Sequence, residues 1–168
     1  MPPTGRGAYD WSRASGSVTE RASPSLGRVS TPDRPARPED IDEICGSLPE
    51  TELGISWGDR PTWKVPRGAK GKGFVLYRAP GQTAIDPETG EPYDDLVVIT
   101  TPTEVEKNAL VADESTPFFT IDHFKGFSAV LVQQSRLGEI GQAELAEVIT
   151  EAWAAKAPKK LVREYFGD

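Results

Sequence analysis

From position 38 onward the chain switches between two hydrophobic periods, and each switch marks an element. Ile41, Ile44, Cys45 and Leu48 fall at i, i+3, i+4 and i+7 behind Pro38, Glu39, Asp40 and Asp42. Proline suits a first helical turn and acids suit its positive end, so the pattern predicts a helix that Gly46 and Pro49 close. Trp63 with Val65, and Phe74 with Leu76, then alternate in period two. That alternation predicts strands over 62–65 and 73–79, joined as a hairpin in which Gly68, Gly71 and Gly73 take positive φ. The β-branched run LVVITT at 96–101 predicts a central strand. Thr103 with Glu106 is a capping-box pair opening a helix to about position 113, with Val105, Ala109 and Ala112 inward. Strands are predicted at 117–121 and 128–134, around a turn at 122–127. From position 142, Leu145, Val148, Ile149, Ala152 and Trp153 share one stripe while Glu144, Glu147 and Glu151 face water. Pro158 stops that helix and starts a short one carrying Lys159, Lys160, Leu161, Arg163 and Tyr165. The order α-β-β-β-α-β-β-α-α implies an α+β fold of two layers, a mostly antiparallel sheet covered by helices.

Residues 1–37 break this regularity. They are rich in Gly, Pro, Ser, Thr and Arg, with Tyr9, Trp11, Val18, Leu26 and Val29 placed without period. Such a segment buries too little apolar area to offset its ordering entropy, so a disordered tail is expected before a domain at 38–168. A docking motif at Tyr9 and Trp11 is the alternative. No apolar run approaches the roughly 20 residues needed to span a bilayer, and no signal-peptide core follows the N-terminal arginines. The expectation is a cytoplasmic monomer without membrane contact.

Charge is distributed unevenly. The formal net charge is −7, yet residues 1–37 hold six Arg and three acids, leaving 13 basic and 23 acidic groups in the remainder. Within that acidic remainder, Arg60, Lys64, Arg67, Lys70, Lys72 and Arg78 all lie on the predicted hairpin, with Asp59 the one acid nearby. Lys156, Lys159, Lys160 and Arg163 form a second basic set at the chain end. An acidic body repels nucleic acid at long range, so any phosphate contact rests on such local sets.

Other chemistry is sparse. One cysteine, Cys45, excludes an intrachain disulfide, and with one histidine, His123, the chain lacks the ligands of a Cys/His zinc site. Cys45 sits on the apolar face of its helix and reads as a small core hydrophobe. GxGxxG and GxxxxGK[ST] are missing; AKGKG lies inside the hairpin and opens no helix. His123 stands beside Asp122 in an aromatic-rich turn, without an identifiable nucleophile. No catalytic residue, metal or cofactor is therefore assigned. Trp57, His123 and Phe127 are candidates for a small-molecule pocket. Trp57, Trp63, Phe74 and Tyr77 are weighed as base-stacking surfaces, with core packing favoured for Trp63 and Phe74.

Four stretches, ICGSLPETELGISWG, WKVPRGAKGKGFVLY, FFTIDHFKGFSAVLV and AELAEVITEAWAAKAPKKLV, together resemble the MmcQ/YjbR family over about residues 38–165. Leu48, Pro49, Trp57, Gly58, Lys72, Phe74, Phe124, Trp153, Ala157, Pro158 and Leu161 match family positions. The resemblance implies a compact α+β fold likened to a double-wing DNA-binding arrangement and to secretion chaperones. Family members are commonly called DNA-binding, and no catalytic residues carry over. The expectation is a DNA-binding or regulatory module in which Arg60, Lys64, Arg67, Lys70, Lys72, Arg78, Lys159, Lys160 and Arg163 contact phosphates. The alternatives are a chaperone-like module with a protein partner, and a small-molecule-binding domain near Trp57 and His123.

Overall fold

The computed structural model describes residues 33–56 and 60–167. Its elements are α1 (Pro38–Ser47), β1 (Glu52–Ser56), β2 (Arg60–Val65), β3 (Lys72–Tyr77), β4 (Leu96–Thr100), α2 (Glu104–Ala112), β5 (Ala129–Gln133), α3 (Gln142–Lys156) and α4 (Lys159–Phe166). The five strands form one antiparallel sheet in chain order, so the fold is α+β as expected. Two details of the expected order change. The short edge strand β1 is additional: Gly54 interrupts its pattern, and Leu53 and Ile55 stay 50% and 55% exposed. Segment 117–121 pairs its backbone with the sheet only through a bridge between Phe119 and Leu131. Pro117 supplies no amide hydrogen to extend that ladder.

One sheet face carries the main core. Trp63, Val65, Val75, Tyr77, Val97, Ile99, Val130 and Val132 meet Ile41, Ile44 and Cys45 of α1 and the Leu145 to Trp153 stripe of α3. The two helical stripes are those the periodicity marks. Trp153, fully buried, donates from Nε1 to the carbonyl of Pro49 (2.9 Å), tying α3 to the end of α1. Burial pushes the Cys45 thiol up, with Asp42 adding to the effect, in keeping with a core role. The other face is smaller, and no α-helix among the described residues contributes to its core. Leu96, Val98, Ala129 and Leu131 meet Ala84 and Phe124 from the connecting segments, with Leu76, Tyr93, Phe119 and Ile121 at the margin.

The hairpin departs from simple alternation. Lys64 pairs with Gly73 and Trp63 with Val75, so β3 carries one extra residue, Phe74. This bulge turns Phe74 and Val75 toward the same core, where strict alternation would have put Phe74 with Leu76. The hairpin glycines serve two different needs. Gly68 has φ +95°, but Gly71 and Gly73 are required for space: a Cβ would lie 2.6 Å from the Pro66 carbonyl oxygen or 2.8 Å from Thr62 Cγ2.

Two further expectations are corrected. The capping box of α2 is present, with Val105 N–H donating to Thr103 Oγ1 (3.1 Å) and Thr103 N–H to Glu106 (3.0 Å). Val105, Ala109 and Ala112 nonetheless face solvent, and Lys107, Leu110 and Val111 face inward. Residues 33–37 belong to the folded body. Asp33 accepts from Ala143 N–H (2.9 Å) at the start of α3, while Ala36 and Gln142 N–H donate to Ile140 and Arg34 carbonyls (2.9 and 2.8 Å). The proposed motif at Tyr9 and Trp11 lies outside the described residues.

Candidate functional site

The second sheet face opens, toward the hairpin, into a cleft of about 580 Å³. Thr62 and Lys64 of β2, the bulged start of β3, and Leu76 and Val98 line one part of it. Thr100, Ser128 and Ala129 bring in the ends of β4 and β5, while Phe124, Gly126 and Phe127 form a loop wall. Lys156 enters from the last turn of α3.

The hairpin itself explains how Lys64 gets there. Its register partner across β1 is Glu52, but Glu52 accepts from Gly68 N–H (2.9 Å). Lys64 instead lies across Gly54, where a Cβ would stand 3.2 Å from its Cε. Gly54 thus leaves room for the lysine stem. No carboxylate lines the cleft, and neither Lys64 nor Lys156 forms an ion pair among the described residues. Two ammonium groups without a counterion among the described residues make this an anion-attracting concavity within a chain of net charge −7.

The loop wall is fixed by Lys107. That side chain is 3% exposed, and its ammonium donates to the Phe124 carbonyl (2.8 Å) and the Phe127 carbonyl (2.7 Å). Sequence patterning passes it over because a lysine interrupts an apolar stripe, although its four methylenes pack as a hydrophobe would.

The predicted basic residues divide into separate groups. Lys70 and Lys72 are exposed at the hairpin end, and Arg67, also exposed, donates from Nε to the Thr51 carbonyl (3.0 Å). Arg60 is half-buried at the start of β2. Lys159, Lys160 and Arg163 are exposed on α4 and are not part of the cleft lining. Arg78 is a correction: it is 8% exposed, hydrogen-bonds Thr83, and sits with Cζ 5.5 Å from the Phe124 ring centroid. Desolvation, with Arg60 adding repulsion, pulls its pKa down. A phosphate cannot reach it in this position.

The aromatic candidates also separate. Trp63 is half-buried and donates to Asp42 Oδ1 (2.8 Å), which also accepts from the Tyr77 hydroxyl (2.7 Å). Phe74 is core. These three have internal partners and offer no stacking platform. Trp57 lies outside the described residues. His123 is exposed, edge-on to Phe124 (centroids 5.7 Å apart), and outside the cleft lining, so the pocket expected around it lies instead beside Phe127. Phe127 lines the cleft while remaining 60% exposed.

The YjbR family profile matches residues 46–155. Uncharacterized proteins of Mycobacterium tuberculosis and Mycobacterium bovis are each 35% identical over 130 residues, covering 77% of this chain and 95% of theirs. A crystal structure of a Deinococcus radiodurans protein with a DUF419 domain is similar at 17% identity and a TM-score of 0.48, over 78% of this chain and 88% of that one.

Proposed function

The chain belongs to the YjbR family, and on that footing we propose that it is a nucleic-acid-binding module whose phosphate contacts centre on the cleft and the adjoining hairpin loop. The observation that carries this reading is the meeting of Lys64 and Lys156 in one carboxylate-free lining. They come from the two basic sets that lie far apart in sequence. Lys70 and Lys72, exposed at the hairpin end, supply further positive charge. Arg78 contributes to the fold and not to the contact. Anisotropy titrations of a labelled DNA duplex over a range of salt test the reading. About four phosphate contacts predict a log–log salt slope near −3.6, and the Lys64→Ala/Lys156→Ala double variant should flatten it by about 2. A slope unchanged by that double substitution rejects this placement of the contacts.

A second reading has its own observation. The outer edge of β1 pairs with no strand among the described residues, and Leu53 and Ile55 beside it are half exposed. An extended segment of a partner protein would find main-chain partners there. Capture of a defined protein that Leu53→Lys abolishes, with no DNA binding at low salt, would favour it.

A further inference from the structure

The cleft has an apolar floor that phosphate contacts alone leave unused. Leu76 and Val98 are register partners on β3 and β4, and Ala129 lies near them in the same lining. Phe127 presents its ring beside this floor, 60% exposed. The Ser128 hydroxyl, half-buried in the lining, has no hydrogen-bond partner among the described residues. A planar group entering here would cover exposed aromatic surface and meet a hydroxyl able to donate or accept.

Two buried cations lie behind the loop wall. Arg78 lies against Phe124, and its Nε is buried with no hydrogen-bond partner. Lys107 holds the same loop through two carbonyls. Neither side chain has a carboxylate within ion-pair distance among the described residues. Lys64 and Lys156 thus line a site whose interior is apolar and aromatic, with Arg78 and Lys107 buried behind its Phe124 and Phe127 wall. An aromatic ligand carrying negative charge matches both properties. The volume, about 580 Å³, falls in the range of roughly 300–1,000 Å³ that encloses small ligands.

We propose that the cleft receives one unstacked nucleobase of a single-stranded nucleic acid, laid against Phe127, with the flanking phosphates on Lys64 and Lys156. The inference rests on the nucleic-acid reading above and narrows it to single strands, because a paired base in a duplex keeps its faces stacked on its neighbours. Stacking on an aromatic side chain tolerates any base, so strong sequence selectivity is not expected.

The test uses the full chain at low salt, with a labelled thymidine strand of about 12 nucleotides, the matching duplex, and an abasic strand of equal length. The strand should bind about tenfold tighter than the duplex. Phe127→Ala, at a 60% exposed position, should weaken binding of the strand about tenfold and so remove that preference. The abasic strand should bind like the duplex. Equal binding of the thymidine strand by wild type and Phe127→Ala, or equal affinity for the abasic strand, overturns the base pocket while leaving phosphate binding in place. Full displacement of the strand by an equimolar amount of dTMP would assign the cleft to a free nucleotide and overturn the strand. Absence of salt-sensitive binding to strand and duplex alike would reject the nucleic-acid reading and this inference with it.

Discussion

Asp40 and Arg78 are both buried charged side chains, and their different environments give them different consequences. Asp40 is 2% exposed; it accepts from Arg37 N–H (2.8 Å) and from both terminal nitrogens of Arg34 (2.9 and 2.7 Å). The Arg34 hydrogen bonds hold its pKa below the usual carboxylate value, against the opposing effect of burial. A folded-state value below the unfolded one means stabilisation that is present above the unfolded pKa and is lost as pH falls through the folded pKa. Asp40→Asn should therefore lower stability at about pH 7 by roughly 1 kcal/mol, the scale of a lost helix cap. The gap to wild type should narrow once pH falls below about 4. Urea unfolding followed by tryptophan fluorescence at neutral and acid pH measures both effects. Arg78 has no such acidic partner among the described residues, and its burial was not legible in the sequence. Composition groups it with five other hairpin cations, and only the fold shows Phe124 covering it.

At the scale of elements, legibility followed the strength of the period. The stripes of α1 and α3 were readable because large apolar residues recur without interruption. In α2, Val105, Ala109 and Ala112 also share a helical period, but two of these side chains are too small to outweigh burial of Leu110 and Val111 with the Lys107 stem. The bulge at Phe74 had no signal in the alternation, and β1 was masked by its length and its glycine. Lys107 gives this element a testable role. In Lys107→Met the stem's volume is kept and the ammonium lost, so the Phe124 and Phe127 carbonyls retain only their backbone donors, Phe127 and Ala129 N–H (3.0 and 2.9 Å). Leaving these carbonyls less satisfied costs about 1–3 kcal/mol, partly offset because no charge is buried any longer. Amide hydrogen exchange across 122–127 should rise about tenfold or more, while β4 and β5 exchange as before. Unchanged exchange in that loop would show that the lysine does not hold the wall of the cleft.

For the whole molecule, charge is sorted around the cleft: Lys64 and Lys156 line it, while the acids among the described residues lie outside its lining. Glu151 is an example, its pKa raised by burial and by repulsion from Glu147 and Glu106, none of which lines the cleft. The general class, two of the helical faces and the basic character of the hairpin were legible; the convergence of Lys64 with Lys156 was not, because they are 92 positions apart and no local pattern links them. The same non-locality governs where the body begins. Composition places residues 33–37 with the polar tail, yet Asp33 occupies the space above Gly141, where a Cβ would stand 1.9 Å from its Oδ2. Asp33 thus caps α3 from a strand-like segment more than 100 positions away. A chain beginning at Asp33 should therefore be more stable than one beginning at Pro38. The shorter chain lacks the Asp33 cap, two backbone hydrogen bonds and the Arg34 and Arg37 donors to Asp40, a cost of roughly 3–5 kcal/mol. Comparison of the two truncated chains by urea unfolding decides it. Equal midpoints and equal slopes would mean that 33–37 add nothing, whereas a lower midpoint for the shorter chain, reproduced by Asp33→Ala in the longer one, would place the loss at the start of α3.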